Sequence, residues 1–207
     1  GWAGDMGCPI CDAVWKGLGL MAPKSGAAEV QSSWRDSSAR FNDTWPQGDH
    51  ITWVFPGNGM TAGDEVVAEW FDGEFYPPEE IQKIHEGKGY PPESAMVIGT
   101  EGALLLPHTS GPLLYPRDKF AAIGRPQLPP RNHYHHFADA CLGKEKNESF
   151  FEQTGPMTEA ILLGTVANRV PDTLLEWDAA GMRIPNHAGA NALLRRTYRD
   201  GWAVEGL

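Results

Sequence analysis

Gly4-Asp5-Met6-Gly7-Cys8-Pro9-Ile10-Cys11-Asp12, followed by the apolar Ala13-Val14-Trp15, is the stretch on which the reading of the fold turns. Gly4 and Gly7 permit a tight backbone turn, and Pro9 suits the first turn of a helix, where a missing N–H costs little. Ile10, Ala13, Val14 and Leu18 then recur at helical spacing, and Gly17 and Gly19 end the run. The expectation is a glycine-punctuated turn that delivers Asp5 to the mouth of a helix. An acid there either borders a pocket or offsets the positive end of the helix dipole.

Cys8-Pro9-Ile10-Cys11 has the C-P-x-C form of a redox pair, but such pairs follow a strand in a βαβ unit, and only seven residues precede Cys8. Two small buried thiols are expected instead. A zinc site would need two more ligands, and the remaining cysteine, Cys141, stands alone.

Working outward, 207 residues suit one domain, or one and a small lobe, with length enough for a sizeable core. Hydrophobic residues at 41% and eight tryptophans place the chain among globular rather than disordered sequences. A net charge of −10 argues against a nucleic-acid or anionic-membrane surface. No apolar run approaches the ~20 residues of a membrane helix. The chain starts inside what reads as a structural element, which suggests a piece of a longer protein, and compartment stays open.

Gly26 to Trp34 alternates weakly and reads as a strand, and residues 35–49 are polar and read as a loop. His50 to Phe55 is a strong strand with Ile51, Trp53 and Phe55 on one face, and Glu65 to Phe71 is a second. The P-G-N-G-M-T-A-G turn between them makes an antiparallel hairpin. It contains Gly57-x-Gly59-x-x-Ala62, but a dinucleotide fingerprint needs a helix next, and a strand pattern follows. Residues 72–93 are irregular around a short helix, Glu79 to His85. Ala95 to Gly99 and Ala103 to Leu106 are continuous apolar runs expected in the sheet interior, with Leu113 to Tyr115 a further short strand. Gly124 to Asn132 is a proline-rich linker or surface strap.

Asn132 caps a helix over His133 to Leu142, ended by Gly143. His133, His135 and His136 on it lack the further ligands of a metal site. The longest helix opens at Thr154 with Pro156 in its first turn and runs to Val170; Gly164 and Ala167 would let another element approach closely. Glu176-Trp177-Asp178 and Met182-Arg183-Ile184 read as a last pair of short strands. Asn186 then caps a final helix with Ala190, Leu193 and Leu194 inward and Arg195, Arg196 and Arg199 outward.

The opening nonapeptide resembles the D-x-G-x-H-x-x-D signature of the glucose–fructose oxidoreductase / inositol dehydrogenase / MocA (Gfo/Idh/MocA) family, whose bacterial members often read G-D-M-G-C-H-x-x-D. T-E-G-A-L-L-L-P, G-P-M-T-E-A-I-L-L-G-T-V-A-N-R, L-E-W-D and N-A-L-L-R-R-T-Y-R-D-G-W are similar, in order and spacing, to its C-terminal domain. The resemblance covers nearly the whole chain. It implies that Asp5 is the active-site aspartate, that Asp12 is the trailing acid on the substrate side, and that Pro9 stands where the family carries its catalytic histidine. It implies further that residues 1–207 are the C-terminal substrate-binding and oligomerisation domain of a soluble bacterial NAD(P)-dependent oxidoreductase. The substrate would be a sugar, cyclitol or related polyol. NAD or NADP would bind a Rossmann half that this chain lacks, so the chain alone would bind neither. A non-catalytic sugar-binding or assembly module, or a glycosidase-like relative, is the rival reading.

The expected fold class is α+β: a largely antiparallel or mixed, open-faced sheet of about five to eight strands with helices packed on one face. Trp53, Phe55 and Trp70 exceed what a few helices can cover, so a homo-oligomer through the sheet face is expected.

Overall fold

A computed structural model describes residues 1–85 and 91–205. Helix α1 (Trp2–Leu18) leads into strand β1 (Ser25–Val30), two short helices α2 (Ser32–Arg35) and α3 (Ser38–Asp43), and the hairpin of β2 (Asp49–Pro56) and β3 (Glu65–Phe71). A helical turn α4 (Glu79–Gln82), extended by a 3-10 turn Lys83–His85, precedes β4 (Ser94–Ile98), β5 (Ala103–Pro107) and β6 (Leu113–Tyr115). Then come α5 (His133–Cys141), α6 (Phe151–Ala167), β7 (Leu175–Glu176) and α7 (Ala188–Ala192). Gly87 and Gly89, part of the irregular stretch expected over 72–93, lie outside the described residues.

The class is α+β, as the sequence indicates. All pairings are antiparallel, but the strands divide into two sheets, β3-β2-β1-β7 and β4-β5-β6. The apolar runs at 95–99 and 103–106 therefore do not fill the interior of one large sheet. They form β4 and β5 of the smaller one, whose core is Ala103, Leu105 and Tyr115.

Period-2 patterning places Ile51, Trp53 and Phe55 on the inner face of β2, opposite Trp70, Ala68 and Val66 of β3. Helices α1 and α6 lie over this face, and Ile51, Trp53, Phe55 and Trp70 are all buried with Met157, Ala160, Ile161, Leu163 and Ala167 of α6. The three aromatic residues expected to overflow the core are thus covered. The outer face carries Glu29, His50, Thr52, Val67 and Glu69, with the His50 ring stacked on Phe71 at 4.3 Å. Its imidazole lies between Glu69, 2.9 Å from Nε2, and Glu29, 3.5 Å from Nδ1. The apolar argument for an oligomer through that face loses its basis.

Gly164 sets the distance between helix and sheet. A Cβ there would stand 2.6 Å from Cζ2 of Trp53, whose indole Nε1 donates to the Ala160 carbonyl at 2.7 Å. Gly7 does the same between helices, since its Cβ would touch Ile161 at 3.3 Å. This corrects the expected turn: Gly4 and Gly7 are both helical, and the small size of Gly7 serves the approach of α1 to α6.

Other boundaries move for local reasons. The strand expected over 26–34 stops at Val30, because Trp34 turns inward on α2 and meets Phe41 of α3, where a loop was expected. Arg169 lies over the rings of Trp34, Phe41 and Trp45, 4.0 Å from the last, and holds this flap to the end of α6. Helix α6 begins at Phe151, which puts Pro156 inside it rather than in its first turn. Met182 to Ile184 contributes one bridge, Asp178 to Arg183, rather than a strand. The final helix is capped by His187, whose Nδ1 accepts from the Ala190 N–H at 2.9 Å; Leu193 stays exposed. Asn186 instead spans Glu176 N and the Leu174 carbonyl. Asn132 caps α5 as expected.

Gly164→Ala should destabilise the protein by about 1–3 kcal/mol through overpacking against Trp53, read by urea unfolding. A loss below ~0.5 kcal/mol would mean that α6 recedes from the sheet at no cost.

Candidate functional site

Every second or third turn of α1 is spoken for by packing: Ala3, Gly7 and Trp15 are buried. Asp5 and Pro9 lie on the opposite side in solvent, and Trp2, about half exposed, extends the same stripe at i, i+3 and i+7 spacing. Pro9 is inside the helix, not in its first turn. It has no N–H to give the carbonyl four residues back, which is that of Asp5. The stripe therefore combines an indole face, a carboxylate and a backbone carbonyl without its helical donor. Apart from the Trp2 N–H, its polar groups are oxygen acceptors, and it contains no histidine.

Asp12 does not join them. It is half-buried, and its Oδ1 accepts from Gln153 Nε2 at 2.8 Å, tying α1 to the start of α6. Asp12 thus lies two helical turns beyond Asp5 on the same face, with its carboxylate engaged by Gln153.

The head of α1 rests on a polar seat that the sequence reading missed. Gly1 approaches the Asp49 carboxyl and the Pro46 carbonyl. Asp49, fully buried, accepts from Asn168 Nδ2 at 2.5 Å, and its own N–H donates to Asp72 Oδ1 at 2.7 Å. Asp72 Oδ2 accepts from Trp70 Nε1 at 2.9 Å. Burial, then the charge of Asp72, pushes the Asp49 carboxyl up to about 7, against the pull of Asn168 and the α-amino group. Burial also raises Asp72, while Trp70 opposes the rise. Two acids this close in an apolar setting cannot both ionise at low cost, which favours states in which one carboxyl of the pair keeps its proton. The one sequence signal was positional: both acids stand at the ends of strong strands.

Cys8 and Cys11 are free thiols on the half-buried side of α1. Burial, and secondarily Cys8, pushes Cys11 up to about 11, the state of a packed thiol rather than a nucleophile. On α5, His136 Nε2 meets the Lys146 carbonyl at 2.9 Å and His133 packs on Tyr134. Among the described residues no three His, Cys, Asp or Glu side chains gather as a metal site, and no helix is long and apolar enough to cross a membrane.

The dinucleotide test fails on geometry. Gly57 to Ala62 is the loop of the β2–β3 hairpin, and a Cβ on Gly57 would sit 2.0 Å from the Gly63 carbonyl. The run leads into a strand, so no helix N-terminus meets a pyrophosphate there.

No family model, curated protein or solved structure matches the chain.

The Asp49–Asp72 pair makes stability depend on pH. The folded Asp49 carboxyl titrates near 7 and the unfolded one near 4, so the folded state binds more protons between those values. The contribution is full below about 4 and lost as pH rises through about 7. Asp49→Asn should remove that decline in thermal stability between pH 5 and 8. An unchanged slope would place its origin elsewhere.

Proposed function

We propose that this chain is the substrate-side domain of an NAD(P)-dependent oxidoreductase acting on a sugar, cyclitol or related polyol. The observation that carries the reading is the stripe Trp2, Asp5, Pro9: the motif residues face outward from a helix whose other side is locked into the core. An indole face beside a carboxylate and a free carbonyl suits a ring with C–H faces and hydroxyl donors. The Gly57–Ala62 run is a hairpin loop rather than a nucleotide cradle, and in this reading the coenzyme belongs to a separate domain.

What the chain itself supplies is binding and orientation. Asp5 accepts a substrate hydroxyl, and Trp2 covers the ring beside it. The buried Asp49, Asp72 and Asn168 group fixes the head of the helix that carries both. Proton transfer near neutral pH calls for a group such as histidine, and Pro9 supplies none. This favours a weak or altered dehydrogenase, and it equally supports the second reading, a sugar-binding module without turnover.

Calorimetry of the chain with myo-inositol and a panel of aldoses tests the binding role: Asp5→Asn should weaken the best ligand at least tenfold, and equal affinity would overturn it. In the protein joined to a nucleotide-binding half, Pro9→His should raise turnover by about 100-fold or more. Wild-type turnover in the usual ~1–1000 per second range, indifferent to Asp5→Asn, would exclude the assigned roles. Tight sugar binding with no turnover in either form would select the binding module.

A further inference from the structure

The two sheets leave two edges facing one trough. Among the described residues β3 pairs only with β2 and β4 only with β5, so each is an edge strand. A cavity of about 1050 Å3 is lined by residues 66–73 along β3 and 91–100 along β4. Consecutive residues of both strands line it, whichever way their side chains alternate, so it runs along their backbones rather than over one face. Trp15, Trp53, Trp70 and Met96 give it an apolar floor, while among the described residues that line it the ionisable carboxylates are Glu69, Asp72 and Glu93, with no lysine, arginine or histidine. Open strand edges offer unpaired N–H and C=O groups to an incoming strand.

A segment of the opposite character lies elsewhere on the same chain. Residues 195–199 have no regular structure, and the stretch from Leu194 to Val204 carries Arg195, Arg196 and Arg199 against one acid, Asp200. Trp202 is 63% exposed and Val204 54%. Arg196 lies over Tyr198 and Arg199 over Trp202, and among the described residues none of the three arginines forms an ion pair with a carboxylate. Drawn out as a strand, Tyr198, Trp202 and Val204 share one face with Arg196 and Asp200, and Arg195 and Arg199 lie on the other. The segment follows β7, at the far edge of the larger sheet from β3. Three strand spacings of ~4.8 Å, about 14 Å, separate those edges, and in its own chain Leu194 packs against the core while residues 195–204 lie in solvent.

We propose that residues 194–204 of a second copy of this chain add as a strand in the trough between β3 and β4. Tyr198, Trp202 and Val204 would meet the apolar floor, and Arg195 and Arg199 the acidic rim at Glu69 and Glu93. The inserted strand joins the two sheets of its host into one. The trough also touches Trp2 of the stripe on α1, but strand addition is read at Ala68, Met96 and the arginines, none of which the sugar and oxidoreductase reading uses.

Sedimentation of the full chain and of Arg195→Glu/Arg196→Glu/Arg199→Glu tests it, since that segment is exposed and not part of the core. The wild type should self-associate, more weakly at high salt, and the charge-reversed chain should associate at least tenfold more weakly. A fluorescein-labelled peptide of sequence 194–204 should bind the charge-reversed full chain, whose trough is empty of a neighbour, and Ala68→Arg or Met96→Arg should abolish that binding. Far-ultraviolet circular dichroism identifies any variant that fails to fold. A monomeric wild type, or association untouched by charge reversal as a contact through the outer sheet face would give, overturns the proposal. Peptide binding that survives both folded trough variants does so as well.

Discussion

Trp53 lies against a helix that has no side chain at Gly164 to hold it off, and the rest of the chain is placed by that approach. The indole hydrogen bond to the Ala160 carbonyl fixes where along α6 the contact occurs. Gly26 on β1 repeats the device, since a Cβ there would meet Leu163 at 3.2 Å. With α6 this close to the sheet, Asn168 at its C-terminal end reaches Asp49, and Gln153 near its start reaches Asp12. Those two polar ties, with Gly7 against Ile161 between them, determine how α1 lies and therefore which of its residues meet solvent.

The polar seat under α1 is an uneconomical way to hold a helix. Two buried carboxylates oppose each other, and only a retained proton and donors from Trp70 and Asn168 make the arrangement tolerable. An apolar cluster would hold the position with less dependence on pH. Its compensation is orientation: hydrogen bonds fix direction where apolar packing fixes only proximity, and the first turn of α1 is where Trp2 and Asp5 need a fixed direction. Nearby, Arg169 over three aromatic rings performs a similar task for the short helices after β1.

Strong patterns in the sequence survived folding. The β2–β3 hairpin was legible because alternation, turn glycines and length all agree there, and α5 because Asn132 and Gly143 bracket it. Glycine and proline misled where they had tertiary duties. Gly4 and Gly7 read locally as a turn but both lie in α1, and Gly7 is explained by Ile161, more than 150 residues away. Pro9 and Pro156 sit inside helices whose packing outweighs the lost hydrogen bond. The division into two sheets was illegible because the apolar runs of β4 and β5 state that they are covered without stating by what. On α1 the sequence places Asp5 and Asp12 two turns apart, but the tie of Asp12 to Gln153, 141 residues away, could not be read from it. The Asp49–Asp72 pair could not be read from single positions, because what perturbs each acid is the other.

The smaller sheet has its own core, of three buried residues, set apart from the main one. A cluster that size contributes little cooperative free energy, and no strand pairing couples it to the larger sheet. The molecule therefore contains two units of unequal resistance to unfolding. Amide protons in β4, β5 and β6 can exchange with solvent through an opening that leaves β1, β2 and α6 closed. A single unfolding midpoint would then average two events, the first of which leaves the stripe on α1 and its seat intact.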